Sequence, residues 1–140
     1  MTALSGHCLC GDVRISVAKA DAHVSGCHCA MCRRWTGGVQ FGFAAAPADV
    51  TVSGDVARYQ SSTFAERAFC PRCGSHLWLR DSGEDYEFVP GIFEGAKDFP
   101  LVREVYADRA FAYAHLAGDH PKISRADYEA SNPFVEGDMP

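Results

Sequence analysis

Apolar and polar residues alternate over short stretches of this chain, and almost nowhere recur at the three-to-four spacing of a long helix. Val13, Ile15 and Val17 interleave with Arg14 and Ser16, the period-two pattern of a half-buried strand. Similar short runs predict strands over 22–25, 39–44, 50–52, 57–60, 64–69, 77–79, 86–89 and 103–106. Turn residues punctuate them, as in Pro47-Ala48-Asp49, Gly54-Asp55 and Asp81-Ser82-Gly83. One short helical turn is expected over 31–36, stopped by Gly37-Gly38. A second is expected over 124–130, with Ser124 as N-cap and Asp127 three residues on. The segment 90–100 reads as a loop with at most one helical turn, and 111–116 fits strand or helix equally. An acidic tail over 131–140 is expected to be loose. The pattern as a whole predicts a mainly β protein, one domain over 1–140, without internal repeats.

Composition narrows the function. The 140 residues are 47% hydrophobic and 22% charged, the balance of an ordinary globular chain. A net charge of −5 argues against nucleic acid as partner. No apolar run approaches the roughly 20 residues of a membrane helix, and no export signal opens the chain. The expected location is therefore the cytoplasm, where thiols stay reduced and seven cysteines point to metal rather than to bridges.

The cysteines fall at telling intervals. Cys70-x-x-Cys73-Gly74 is a knuckle that offers two thiols from a turn, and Cys8-x-Cys10 supplies a matching pair. Together they would close a tetrahedral zinc site. Cys27, Cys29 and Cys32 remain. In an extended segment Cys27 and Cys29 share one face and His28 takes the other, while Cys29-x-x-Cys32 wraps a turn that brings the third sulfur round. Three ligands leave one tetrahedral position open, as in a catalytic zinc. The expectation is two zinc ions per chain, one structural and one open. Disulfides, a single zinc with three idle thiols, or a dinuclear cluster of all seven sulfurs are the alternatives. Arg33 and Arg34 either bind an anionic substrate beside the open site or offset thiolate charge. His28 is expected to pack or face solvent, His7 and His76 to flank the closed site, and His23, His115 and His120 carry no signal. Trp35, Phe41, Phe43 and Phe93 read as aromatic core. No carboxylate stands near the open trio in sequence.

Three stretches carry a family resemblance: Gly6-His-Cys-Leu-Cys-Gly-Asp-Val13, Cys27-His-Cys-Ala-Met-Cys-Arg-Arg34 and Phe69-Cys-Pro-Arg-Cys-Gly-Ser75. The chain resembles the glutathione-dependent formaldehyde-activating enzymes, a family that also contains centromere protein V. The resemblance implies a β-tent of short antiparallel sheets joined by zinc knuckles. It implies a structural zinc on Cys8, Cys10, Cys70 and Cys73, and a second zinc, tied to activity, on Cys27, Cys29 and Cys32. The implied reaction is that of a carbon–sulfur lyase joining glutathione, or a similar thiol, to formaldehyde or another small aldehyde. The competing expectation is a zinc-stapled protein-binding module without activity.

Overall fold

The computed structural model describes residues 2–133. Among them are eleven strands and two α-helices: β1 (Thr2–His7), β2 (Arg14–Ala20), β3 (Val24–Cys27), α1 (Ala30–Thr36), β4 (Gln40–Ala45), β5 (Val50–Ser53), β6 (Ala57–Gln60), β7 (Ala65–Phe69), β8 (His76–Asp81), β9 (Tyr86–Phe88), β10 (Leu101–Val105), β11 (Lys122–Ile123) and α2 (Arg125–Ser131). The mainly β expectation holds. Strand β1 and the two-residue β11 were not legible in the pattern, and the loop at 90–100 contains two single 3-10 turns rather than one. Residues 111–116 form neither strand nor helix. Of the expected loose tail, Ser131 ends α2, and 134–140 lie outside the described residues.

The chain divides into two compact units. The first comprises residues up to His23 and Gly42–Pro100. In it β2 pairs antiparallel with β1 and β5, and a second antiparallel ladder runs β9, β8, β7, β6, joined at β9 by the Phe43–Ala45 half of β4. Alternation explains the faces: Ile15 and Val17 are buried, while Arg14 and Ser16 are exposed. The core between these strands is aromatic. Phe93 packs edge-on against Phe43 and Phe88, with ring centroids 5.1 and 5.5 Å apart, and Trp78 packs against Tyr86 at 5.1 Å. Phe43 and Phe93 are therefore core, as expected, whereas Trp35 and Phe41 are only part-buried.

The second unit comprises Val24–Phe41 and the residues from Leu101 on. Here β10 pairs parallel with both β3 and β11, a departure from the expected antiparallel pairing, and β3 also neighbours β4. The chain must leave and return between β3 and β10, and a parallel register then sets Glu104 opposite Gly26 and Val105 opposite Cys27. The core is small: Cys29, Cys32, Val105 and Tyr106, with Met31, Ile123 and Tyr128 against them.

Candidate metal centres

Cys8, Cys10, Cys70 and Cys73 form one cluster, with all four sulfurs within 4.8 Å of one another. Each pair sits on a tight turn beside a strand. Gly11 donates to the Cys8 carbonyl at 3.0 Å, and Gly74 to that of Cys70 at 2.9 Å. Gly74 needs a φ of +77°, which a side chain would strain, so the glycine after the second thiol is what lets this knuckle close. Ser75 ties the turns together, its hydroxyl accepting from the Leu9 amide at 2.9 Å and lying 3.2 Å from Cys73 Sγ. Hydrogen bonds from Ser75 bring the Cys73 thiol down to about 5, while the Cys10 thiol, against a backbone hydrogen bond from Asp12, is pushed up by burial and the neighbouring sulfurs. His7 is exposed and engages the Cys8 carbonyl at 2.7 Å.

Cys27, Cys29 and Cys32 form the second cluster, their sulfurs again within 4.8 Å of one another. It is built at one junction. Strand β3 delivers Cys27; Cys29 then caps α1, its Sγ accepting from the Cys32 amide at 3.4 Å. The first helical turn swings Cys32 back to the other two. Gly37, at φ +87°, ends the helix by donating to the Arg33 carbonyl at 2.8 Å. The cap and the stop are both local consequences of the sequence.

The donor chemistry fits soft divalent cations at both places. Four cysteines suffice for a closed tetrahedral site. In the trio, hydrogen bonds to the Cys29 and Cys32 sulfurs, together with burial, hold the Cys27 thiol well above its ordinary range. The Cys27 sulfur therefore resists becoming a thiolate until a cation supplies the countercharge. Both clusters can hold a metal ion, and they share no ligand.

The surroundings of the trio contain residues that sequence reasoning missed. Tyr106 is buried against it in the left-handed region, at φ 53°, the one non-glycine residue there among those described. Its hydroxyl donates to Glu129 Oε2 at 3.1 Å, and Arg125 Nε donates to the same oxygen at 3.0 Å. Burial and Glu129 push the phenol up, which keeps it neutral. Tyr128 from α2 packs on Tyr106 at 5.3 Å. Behind the trio, Glu104 joins His28 and His120, two residues to which the sequence assigned little. The only signal was a charge inside a predicted strand.

The two arginines fare differently. Arg33 Nε donates to the His28 carbonyl at 2.9 Å, and its guanidinium lies 4.5 Å from the centre of the Phe111 ring. Its two Nη groups have no acceptor among the described residues. Arg34 is exposed.

Residues 3–109 match the profile of the glutathione-dependent formaldehyde-activating enzymes. An uncharacterized lyase of Schizosaccharomyces pombe is 30% identical over 111 residues, covering 77% of this chain and 81% of its own. A Halomonas elongata protein assigned by name to glutathione-dependent formaldehyde activation is 33% identical over 95 residues, 56% of each chain. The crystal structure of a Rhodobacter sphaeroides protein superposes with a TM-score of 0.57 at 29% identity, over 69% of this chain and 98% of that one. With the match running through both cysteine clusters and on past β10, the chain belongs to the glutathione-dependent formaldehyde-activating enzyme family.

Proposed function

We propose that the protein is a zinc-dependent carbon–sulfur lyase whose substrate is the adduct of a small thiol, glutathione or one like it, with formaldehyde or another small aldehyde. The observation that carries this reading is the unequal division of sulfur, four cysteines in one cluster and three in another. Cys27, Cys29 and Cys32 would hold the catalytic zinc, which when bound supplies a position for a substrate sulfur and favours its deprotonated form. In the forward direction one bond forms between the thiol sulfur and the aldehyde carbon, and the thiol's proton ends on the former carbonyl oxygen. The reverse direction breaks that bond and returns the proton to sulfur.

The chain's own residues confine and orient. Val105, Tyr106, Met31, Ile123 and Tyr128 give the trio an apolar wall that keeps water from its buried side. Arg33 meets the substrate's charge: with Nε held by the His28 carbonyl and one face on Phe111, its two Nη groups are set to fork a carboxylate. Arg34, one residue on, adds a second positive charge. An anionic thiol needs such a patch on a chain of net charge −5. Fixing thiol and aldehyde together can supply much of the acceleration, since well-oriented partners reach effective molarities on the order of 10⁵ M.

The reading extends to the whole chain. One domain over 1–140 belongs to the same proposal, and the three passages of the chain between the two compact units support it. A β-tent with one closed zinc on Cys8, Cys10, Cys70 and Cys73, working in the cytoplasm, belongs to the same proposal. The test is metal content together with thiol-dependent loss of free formaldehyde above the uncatalysed rate. Two zinc ions per chain and a rate that vanishes in Cys27→Ala support it. A fully metallated protein with no rate above background would sink it in favour of a binding module.

A further inference from the structure

Glu104 is an expensive residue for its place. Its side chain is 3% exposed, those of His28 and His120 are 1% and 6% exposed, and the three form one buried hydrogen-bonded chain. His28 Nε2 meets Glu104 Oε1 at 2.6 Å, and His120 Nε2 meets Oε2 at 2.5 Å. A carboxylate accepts only, so each imidazole presents its Nε2–H to it. Taking these groups out of water gains little for stability, and an apolar trio of similar volume would serve the core as well or better. Their contribution is therefore sought in geometry.

The geometry leads to the ligand strand. His28 sits between Cys27, the last residue of β3, and Cys29, the N-cap of α1, with its ring bound to Glu104. Three separate bonds hold it. Its amide donates to the Val105 carbonyl at 3.1 Å, its carbonyl accepts from Arg33 Nε at 2.9 Å, and its ring is bound to Glu104. Glu104 is in turn placed by the parallel ladder, opposite Gly26, and braced from the far side by His120. A residue held at its amide, its carbonyl and its ring stops the Cys27–Cys29 peptide from rolling about the chain axis. Rolling would move two of the three sulfurs at once, and it would also shift the carbonyl that holds Arg33.

We propose that Glu104, clamped between His28 and His120, is a positioning residue for the trithiol site, setting the directions of the Cys27 and Cys29 sulfurs and of the Arg33 guanidinium. It touches neither metal nor substrate. The part concerning Arg33 rests on the carboxylate-binding role given to that residue above, while the part concerning sulfur stands without it.

The experiment compares wild type, Glu104→Gln and His120→Gln, each reconstituted with cobalt(II) at both clusters. The four-cysteine cluster serves as the internal control for folding. In both variants the trithiol cobalt should be lost to a chelator at an affinity about tenfold or more weaker, as for other outer supports of metal ligands. Its visible absorption should shift and broaden, while the four-cysteine cobalt is retained as in wild type. KM for the anionic thiol should rise in step if wild type is active. Trithiol affinity within twofold of wild type, or equal loosening of both cobalts, would overturn the proposal. Should Glu104→Gln fail to fold, His120→Gln decides on the same criteria. If wild type shows no thiol–aldehyde activity, the proposed function fails, and the cobalt comparison still decides whether Glu104 positions the sulfurs.

Discussion

The two cysteine clusters use one amino acid to opposite ends. The first takes four sulfurs from two turns far apart in the chain, beside a core of packed aromatic rings, and Ser75 ties its halves together. The second takes three sulfurs from one strand–helix junction, beside a core of four buried residues, with a polar chain at its back. In the first, a bound ion would itself complete the geometry, since four ligands fill a tetrahedron. In the second, three sulfurs would leave one position of a tetrahedron unfilled. The polar chain of His28, Glu104 and His120 stands behind the trio, and Tyr106, at φ 53°, stands beside it.

The sharpest way to break the contrast is to delete one sulfur from each cluster. Cys70→Ala should remove metal-linked folding energy on the order of 10 kcal/mol and leave the chain unfolded by circular dichroism. Cys32→Ala should stay folded, lose one ion per chain and lose the activity. If both variants unfold, the two clusters are equally architectural.

Next come the cores. Phe88→Ala opens a cavity among Phe43, Phe93, Trp78 and Tyr86 and should cost about 3–5 kcal/mol in denaturant unfolding. Tyr128→Ala, at a part-buried position beside the trio, should cost about 1–2 kcal/mol. Equal costs would remove the distinction between a packed frame and a lightly packed site.

A smaller effect belongs to substrate capture. Arg33→Ala should raise KM for an anionic thiol roughly tenfold, the value of about 1.4 kcal/mol from a charge-assisted hydrogen bond. Both metals should remain. Unchanged KM would return Arg33 to the role of countercharge.

The smallest effect is on acid stability. Burial works to raise Glu104, and the hydrogen bonds from His120 and His28 outweigh it, so its carboxyl lies below the ordinary value of 4.5. A depressed value contributes stability in full above pH 4.5, and that share is lost as pH falls through the lower folded value. Acid titration of unfolding should therefore be shallower in Glu104→Gln than in wild type below pH 4.5. Identical acid limbs would show that Glu104 does not titrate with folding.

Local chemistry was legible where local chemistry decides. The Cys-x-Cys and Cys-x-x-Cys spacings, the glycine behind each turn, the Gly37 stop and the Ser124 cap all act within a few residues, and each stands where expected. Alternation in β2 was enough to assign its faces. What escaped depends on partners remote in the chain. Strand β11 has two residues and exists because β10 lies beside it. Glu104 reads as an ordinary strand charge until β10 runs parallel to β3, and His120 reads as a loop histidine until it meets that carboxylate.

By itself, then, the sequence determined the membership of both cysteine clusters, because cysteine spacing is a property of adjacent residues and turns. It also determined the mainly β character, because side-chain alternation is set by the backbone period. Only the tertiary structure decided what stands behind and beside the open trio. A parallel register, which no single strand encodes, brings a carboxylate and a second histidine from more than seventy residues downstream to the back of Cys27-His28-Cys29.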